Sequence, residues 1–263
     1  MIESFFRYRI NIVLLIFFIC INSFEGRINS DSYLISLSFA MIFSAIYVFN
    51  KATDIVEDNL NFRSFPIKNK NYPIIFSLVF AVFPIPYLFF VNKSLLLFYI
   101  FVPFLFGFLY SYQLSFLKIR RLKEIILLKN LISALVWALT PLTIGFVFLD
   151  KINILVCFHT FIMVFIIEVI WDIRDIDGDL ANKISTIPNR FGVLFAKIVC
   201  LTLAIGLLLF YNKNNLEFSV FLCAQILTIL NIAMIKKDSN PYLFQSLTII
   251  WLVFNIFIFL KIL

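Results

Sequence analysis

The chain has 263 residues, of which 62% are hydrophobic and only 14% charged, with a formal net charge of +7. An average soluble domain is about 45–50% apolar and about 25% charged, so this composition cannot clothe a water-facing surface. A soluble enzyme, a nucleic-acid module and a disordered tail are excluded together, leaving a polytopic α-helical membrane protein.

In chain order, apolar stretches lie at 10–24, 33–49, 73–91, 94–110, 125–148, 152–170, 193–211, 216–235 and 242–260. Each approaches the roughly 20 residues that one bilayer crossing needs. They predict an all-α bundle of about nine transmembrane helices, forming a single domain over 1–263. Arg7 and Arg9 precede the first stretch as in a signal peptide. Ile21-Asn22-Ser23 offers no small-residue cleavage site, so a retained span is expected. The cysteines (Cys20, Cys157, Cys200 and Cys223) lie singly in apolar stretches and read as small buried hydrophobes, not as a disulfide or metal framework.

The basic residues between the stretches alternate in density. One set of loops carries Arg7, Arg9, Lys51, Arg63, Lys68, Lys70, Lys118, Arg120, Arg121, Lys123, Arg174, Lys183, Arg190, Lys236 and Lys237. The opposite set carries only Arg27, Lys93, Lys151, Lys213 and Lys261, while Lys129 and Lys197 fall inside spans near the basic side. Cytoplasmic loops are the ones enriched in Lys and Arg. The N-terminus and the long polar loops are therefore expected in the cytoplasm, with the chain in the inner (plasma) membrane. The excess charge reports topology, not nucleic acid.

Two acidic motifs stand out. The second stretch runs into Asn50-Lys-Ala-Thr-Asp54-Ile-Val-Glu-Asp58, and a continuing helix stacks Asn50, Asp54 and Asp58 on one face. The sixth ends in Glu168-Val-Ile-Trp-Asp172-Ile-Arg-Asp175-Ile-Asp-Gly-Asp179, whose spacing of four, three and four again marks one face. Asp177-Gly178 predicts fraying there, making Asp179 the least secure member. Like charges at this spacing repel, and Glu168 lies inside an apolar span, where a charge costs about 2.5–3.5 kcal/mol on insertion scales. Such expense points to function. Carboxylates facing one another at a membrane edge suit hard divalent cations, and Mg²⁺ typically takes one or two of them, leaving positions for phosphate oxygens. A calcium loop does not fit, because Gly178 at its sixth position puts Ile173 first and Ile184 twelfth. No Walker-type loop, HExxH or GxGxxG occurs, and the lone His159 reads as a packed residue.

With these residues in place, the chain resembles the UbiA family of intramembrane prenyltransferases. That family carries Asn-x-x-x-Asp-x-x-x-Asp after its second helix and an Asp-rich motif after its sixth, in a bundle of nine. Arg63-Ser-Phe-Pro66 is similar to its Arg-Pro element, and Thr186-Ile-Pro188 with Phe191-Gly192 to the segment trailing its second motif. Its Tyr-x-x-Lys is altered: Ser115 stands at that spacing before Lys118, so Tyr110 or Tyr112 must substitute or the role is absent. Asp179-Leu180…Lys183 likewise replaces the usual Asp-Arg…Gly.

The resemblance implies two Mg²⁺ ions held by Asp54, Asp58, Asp172, Asp175 and Asp179. It implies an isoprenyl diphosphate contacted by Asn50, Arg63, Lys118 and Arg174, with Lys118 neutralising the leaving group. Asp172 or Glu168 would orient a lipophilic or aromatic acceptor, or take its proton, while the prenyl tail lies among apolar helices beside membrane lipid. One rival keeps the fold and closes the substrate on itself, as UbiA-like terpene cyclases do. A transporter is the rival from another class, but its acids belong at the midplane on broken helices, and here they gather at one edge.

Overall fold

A computed structural model of the chain describes residues 2–24, 26–54, 71–90, 94–112, 121–146, 154–209 and 216–262. Among the described residues there are helices and turns and no strand. Helix α1 (Ile2–Asn22) is followed by α2 (Ser30–Thr53), which opens on a capping box. Asn29 Oδ1 accepts from the Ser32 amide at 2.9 Å, and Ser32 Oγ accepts from the Asn29 amide at 3.1 Å. This reciprocal pair satisfies backbone donors that a helix start otherwise leaves open. The predicted stretch 73–91 is divided into α3 (Asn71–Val82) and α4 (Ile85–Phe90). Pro84 and Pro86 explain the break, since a proline lacks the N–H and disfavours helix at the residue before it.

Helix α5 (Ser94–Ser111) precedes a 3₁₀ turn at Leu122–Glu124 and then α6 (Leu128–Ile144). Between turn and helix, Leu127 takes a left-handed φ of 63°, costly for a branched side chain. The remainder is α7 (Ile154–Arg174), α8 (Ile176–Ala181), α9 (Ile187–Phe191), α10 (Val193–Leu209), α11 (Leu216–Met234) and α12 (Pro241–Ile262). Helix α9 has its own capping box, with Thr186 donating its amide to Asn189 Oδ1 at 2.9 Å. Gly192 then turns the chain into α10 at φ 89°, a value a glycine adopts freely. These contacts account locally for the Thr186-Ile-Pro188 and Phe191-Gly192 signature.

The helices close into a ring. Neighbours pack in the order α1, α2, α5, α6, α7, α10, α11 and α12, and α12 returns to α1, with α3 laid against α2. The shared core holds Phe39, Phe43, Phe221, Phe244 and Trp251. Three helices, Ser30–Thr53, Ile154–Arg174 and Pro241–Lys261, are long and apolar enough to cross a bilayer by length and composition. The outer surface is also apolar: Leu209 is 83% exposed and Ile154 and Leu194 each 73%, an arrangement suited to hydrocarbon rather than water. Cys20 and Cys200 are buried as expected, but Cys157 is half-buried and Cys223 exposed, because α7 and α11 turn those positions outward. His159 packs against the rings of Phe221, Trp251 and Phe254 at 5.5–6.1 Å, as a core residue.

Candidate active site

The ring encloses a cleft with about 990 Å³ of empty space, its open mouth included. Four long helices wall it. Helix α2 contributes Phe43, Ile46, Tyr47, Asn50 and Asp54; α5 contributes Phe106, Gly107 and Tyr110. From α6 come Lys129, Ile132, Ser133, Val136 and Trp137, and from α7 Glu168, Trp171 and Asp172; Asp175, at the break between α7 and α8, and Asp179 of α8 complete the rim. Helical spacing turns each set inward. Along α2 the lining passes from a carboxylate at Asp54 to a phenyl ring at Phe43, about 16 Å at 1.5 Å per residue. One end of the cleft is ionic and the other aromatic.

At the ionic end both acidic motifs meet, with differences in local form. Helix α2 ends at Thr53 and Asp54 is its C-cap, donating its amide to the Asn50 carbonyl at 3.0 Å. In the second motif the helix does not fray at Asp177-Gly178. It breaks two residues earlier at Asp175, and α8 restarts with Gly178 buried inside it. Asp179 is thereby held, not loosened, and only 5% exposed.

The carboxylates are paired with buried cations. Lys123 Nζ lies 2.5 Å from Asp54 Oδ1. Lys129 Nζ lies 2.7 Å from Asp172 Oδ1 and 3.1 Å from Asp179 Oδ2, joining α7 to α8. Asn130 Nδ2 donates to Asp172 Oδ2 at 2.9 Å, and Ser133 Oγ to Glu168 Oε1 at 2.7 Å. Arg174 grips Asp175 through Nε at 2.9 Å and Nη2 at 3.2 Å. Its guanidinium packs over the rings of Trp171 and Phe244 and is not among the groups lining the cleft. Buried ion pairs of this kind require near-complete hydrogen bonding to offset their desolvation.

At the aromatic end Trp137 Nε1 donates to Tyr47 Oη at 3.2 Å, and the Trp137 ring meets Phe43 edge-on at 5.3 Å. Gly107 allows α5 to close on α2: a Cβ there would stand 2.5 Å from Ile46 Cγ2.

Of the residues singled out by sequence, Asn50, Asp54, Glu168, Asp172, Asp175 and Asp179 are brought together in this cleft. Asp58, Arg63 and Lys118 lie outside the described residues. Between the two candidate tyrosines, Tyr110 lines the cleft and Tyr112 is exposed. Lys123, Lys129, Asn130, Ser133, Tyr47 and Trp137 went unassigned from sequence. The available signal was Lys129, a charge inside an apolar stretch, as expensive as Glu168.

Among the described residues no three acidic or histidine side chains form a ready metal cage. The donor set nevertheless fits a hard cation, being all oxygen: Asp54, Asp172, Asp175, Asp179 and the Asn50 amide.

A profile of the UbiA prenyltransferase family matches residues 12–241. No curated protein sequence matches the chain. Among solved structures, a UbiA homologue from Aeropyrum pernix K1 aligns with a TM-score of 0.67 at 15% identity, covering 94% of each chain. A UbiA homologue from Archaeoglobus fulgidus, bound to GPP and Mg²⁺, aligns at 0.61 and 14% identity, covering 97% of this chain and 99% of its own. A digeranylgeranylglyceryl phosphate synthase aligns at 0.58 and 17%, covering 99% and 95%. At such identities these likenesses establish the fold.

Proposed function

The chain belongs to the UbiA prenyltransferase family, and from that premise we propose that it is a Mg²⁺-dependent, integral-membrane prenyltransferase. It moves an isoprenyl group from an isoprenyl diphosphate to a lipophilic or aromatic acceptor. The observation that carries this reading is the meeting of Asn50 and Asp54 with Asp172, Asp175 and Asp179 at one end of a cleft whose other end is aromatic. An amphiphile with a polyanionic head and an apolar tail matches that polarity. The GPP and Mg²⁺ bound to the Archaeoglobus fulgidus homologue support the assignment.

Asp54, Asp58, Asp172, Asp175 and Asp179 form the pool from which Mg²⁺ draws its ligands. When bound, the ion supplies positive charge against the leaving diphosphate. Lys123, already in the cleft, adds a preorganised cation there, Lys118 and Arg63 are assigned to the same leaving group by the family resemblance, and Arg174 acts on that end through Asp175, whose carboxylate it holds. The C–O bond breaks with its electron pair leaving on the diphosphate. The allylic carbon is shielded among Tyr47, Trp137 and Phe43, whose ring faces favour a cation. The acceptor's electron pair forms the new bond, and its proton passes to a carboxylate. Glu168 and Asp172, which both line the cleft, are the carboxylates in reach of that proton.

The whole chain, 1–263, acts as one transmembrane domain with the ionic end and the N-terminus on the cytoplasmic side of the inner membrane. Mass spectrometry of membranes supplied with allylic diphosphates, a panel of acceptors and Mg²⁺ tests the reaction. Prenylated acceptor is the expected product; diphosphate release with a cyclic hydrocarbon and no acceptor adduct would mean a terpene cyclase instead. Cysteines placed at Asn61 and Asn182 should both label from the cytoplasm, and labelling from opposite sides would sink the shared-site reading.

A further inference from the structure

A second, smaller chamber adjoins the aromatic end of the cleft. It shares Tyr47, Trp137, Glu168 and Trp171 with the cleft wall, and α12 adds Thr248 and Trp251. Those two stand three apart on one helix and so share a face. Aliphatic side chains of α1 and α7 form the rest, and the interior has space for about one water-sized group. Both α12 residues are buried, Thr248 at 5% exposure and Trp251 at 2%. Among the described residues, neither Thr248 Oγ1 nor Trp251 Nε1 has a hydrogen-bond partner. The other two tryptophans differ: Trp137 Nε1 donates to Tyr47, and Trp171 Nε1 to the Phe244 carbonyl at 3.1 Å. Buried polar groups are normally satisfied by protein, water or ligand. Two orphans on residues that line one chamber mark it for a polar occupant.

The lining defines that occupant. Trp251 Nε1 only donates, while the Thr248 hydroxyl donates or accepts, so the matching atom is an oxygen with lone pairs. Among the described residues of this wall Glu168 is the charged one, and no cation accompanies it there. A carboxylate or phosphate group would therefore enter unpaired beside a like charge. A hydrocarbon tail would leave both orphans dry and unsatisfied. We propose that the chamber is a specificity notch for the acceptor: a neutral oxygen substituent, a hydroxyl or carbonyl, passes between the four shared residues and is held by Trp251 and Thr248. The proposal rests on the prenyltransferase reading above and names the chemistry of its acceptor. Before the acceptor arrives a water fills the notch, and the substituent reproduces its hydrogen bonds on displacing it. The body of the acceptor then stays in the cleft among the aromatic rings, beside Glu168.

The test uses the full chain in lipid nanodiscs with isotopically labelled indoles. The chain has three tryptophans; Trp137→Phe and Trp171→Phe assign two of the N–H resonances, and Trp251 is the third. The probes are p-cresol and p-xylene, rings of one shape that differ by a hydroxyl. p-Cresol should move the Trp251 N–H resonance downfield and saturably, as a new hydrogen bond does, and p-xylene should not. Thr248→Val keeps the side-chain shape and should weaken p-cresol binding about 2- to 10-fold, the worth of one neutral hydrogen bond. In prenyl transfer, Trp251→Phe should raise KM for an oxygen-bearing acceptor while KM for the allylic diphosphate holds. Equal responses to the two probes, or unchanged p-cresol binding in Thr248→Val, overturns the notch and leaves the prenyltransferase reading standing. No prenylated acceptor from the wild type overturns both. If Trp251→Phe does not fold, the wild-type titration and Thr248→Val decide alone.

Discussion

The two ends of the cleft are made from the same helices and opposite materials. On α6, Lys129 and Asn130 face the carboxylates, while Trp137, two turns on, closes on Phe43 and Tyr47. On α7, Trp171 and Asp172 are adjacent in sequence, and both an indole and a carboxylate line the cleft there. The ionic end is held by specific pairs, each a buried charge with a named partner. The aromatic end is held by shape, with the Trp137–Tyr47 hydrogen bond across it. The first should therefore be intolerant of losing any member, because an orphaned buried charge costs about 3–5 kcal/mol. The second should tolerate substitutions that conserve volume, which usually cost less than about 1.5 kcal/mol.

The largest effect expected is at the ionic end. Asp54→Asn and Asp175→Asn keep shape and remove one negative charge each. Losing a preorganised electrostatic contact typically lowers the rate by about 10²–10³. If both residues serve one ion–diphosphate unit, the double variant should be little worse than either single one. Prenyl transfer measured across a Mg²⁺ titration, with EDTA as the blank, checks this. Full activity in EDTA would detach the acidic motifs from the chemistry.

An intermediate effect is expected where the ends share a wall. Gly107→Ala drives a methyl into Ile46, and overpacking of this kind costs about 1–3 kcal/mol. Because Ile46 lies beside Tyr47 on the cleft wall, on the far side of it from the acidic end of α2, the variant should raise KM for long allylic diphosphates more than for short ones. Equal effects on both would show that the strain is relieved away from the cleft. A smaller change is expected for Tyr47→Phe, which removes the Trp137 partner but keeps the ring. A lost neutral hydrogen bond costs about 0.5–1.5 kcal/mol, read as a modest drop in melting temperature with diphosphate affinity unchanged.

The asymmetry between the ends also explains what could be read from sequence. Carboxylates at helical spacing on an apolar chain are conspicuous, so Asn50, Asp54, Glu168, Asp172, Asp175 and Asp179 were visible, as were the helices themselves. Their partners were not. Lys123 looks like one more basic loop residue, and its role depends on the turn at Leu127 that folds the 3₁₀ segment against α6. Tyr47 and Trp137 are two aromatics among many, and nothing local distinguishes them from ring positions that face lipid. The break at Asp175 was misplaced because Gly178 is the stronger local breaker, yet tertiary pairing of Asp179 with Lys129 holds that glycine in helix.

The smallest effect should come from the acid that the second motif carries outside the cleft. Asp177 sits between Asp175 and Asp179 in sequence, but α8 turns it away to an exposed pair with Lys237 at 2.7 Å. Exposed pairs of this kind contribute little, being screened and entropically costly to hold. The hydrogen bond to Asp177 raises the Lys237 pKa above its ordinary 10.5. What the pair contributes is thus present through neutral pH and is lost only as pH rises past that raised value. Asp177→Asn should therefore leave prenyl transfer within about twofold of wild type at neutral pH, and leave its Mg²⁺ dependence unchanged. The same substitution two residues to either side removes a charge from the cleft. A loss at Asp177 comparable to that at Asp175 would mean that charge anywhere on this segment matters. That result would erase the distinction between a paired ionic end and its solvated surroundings.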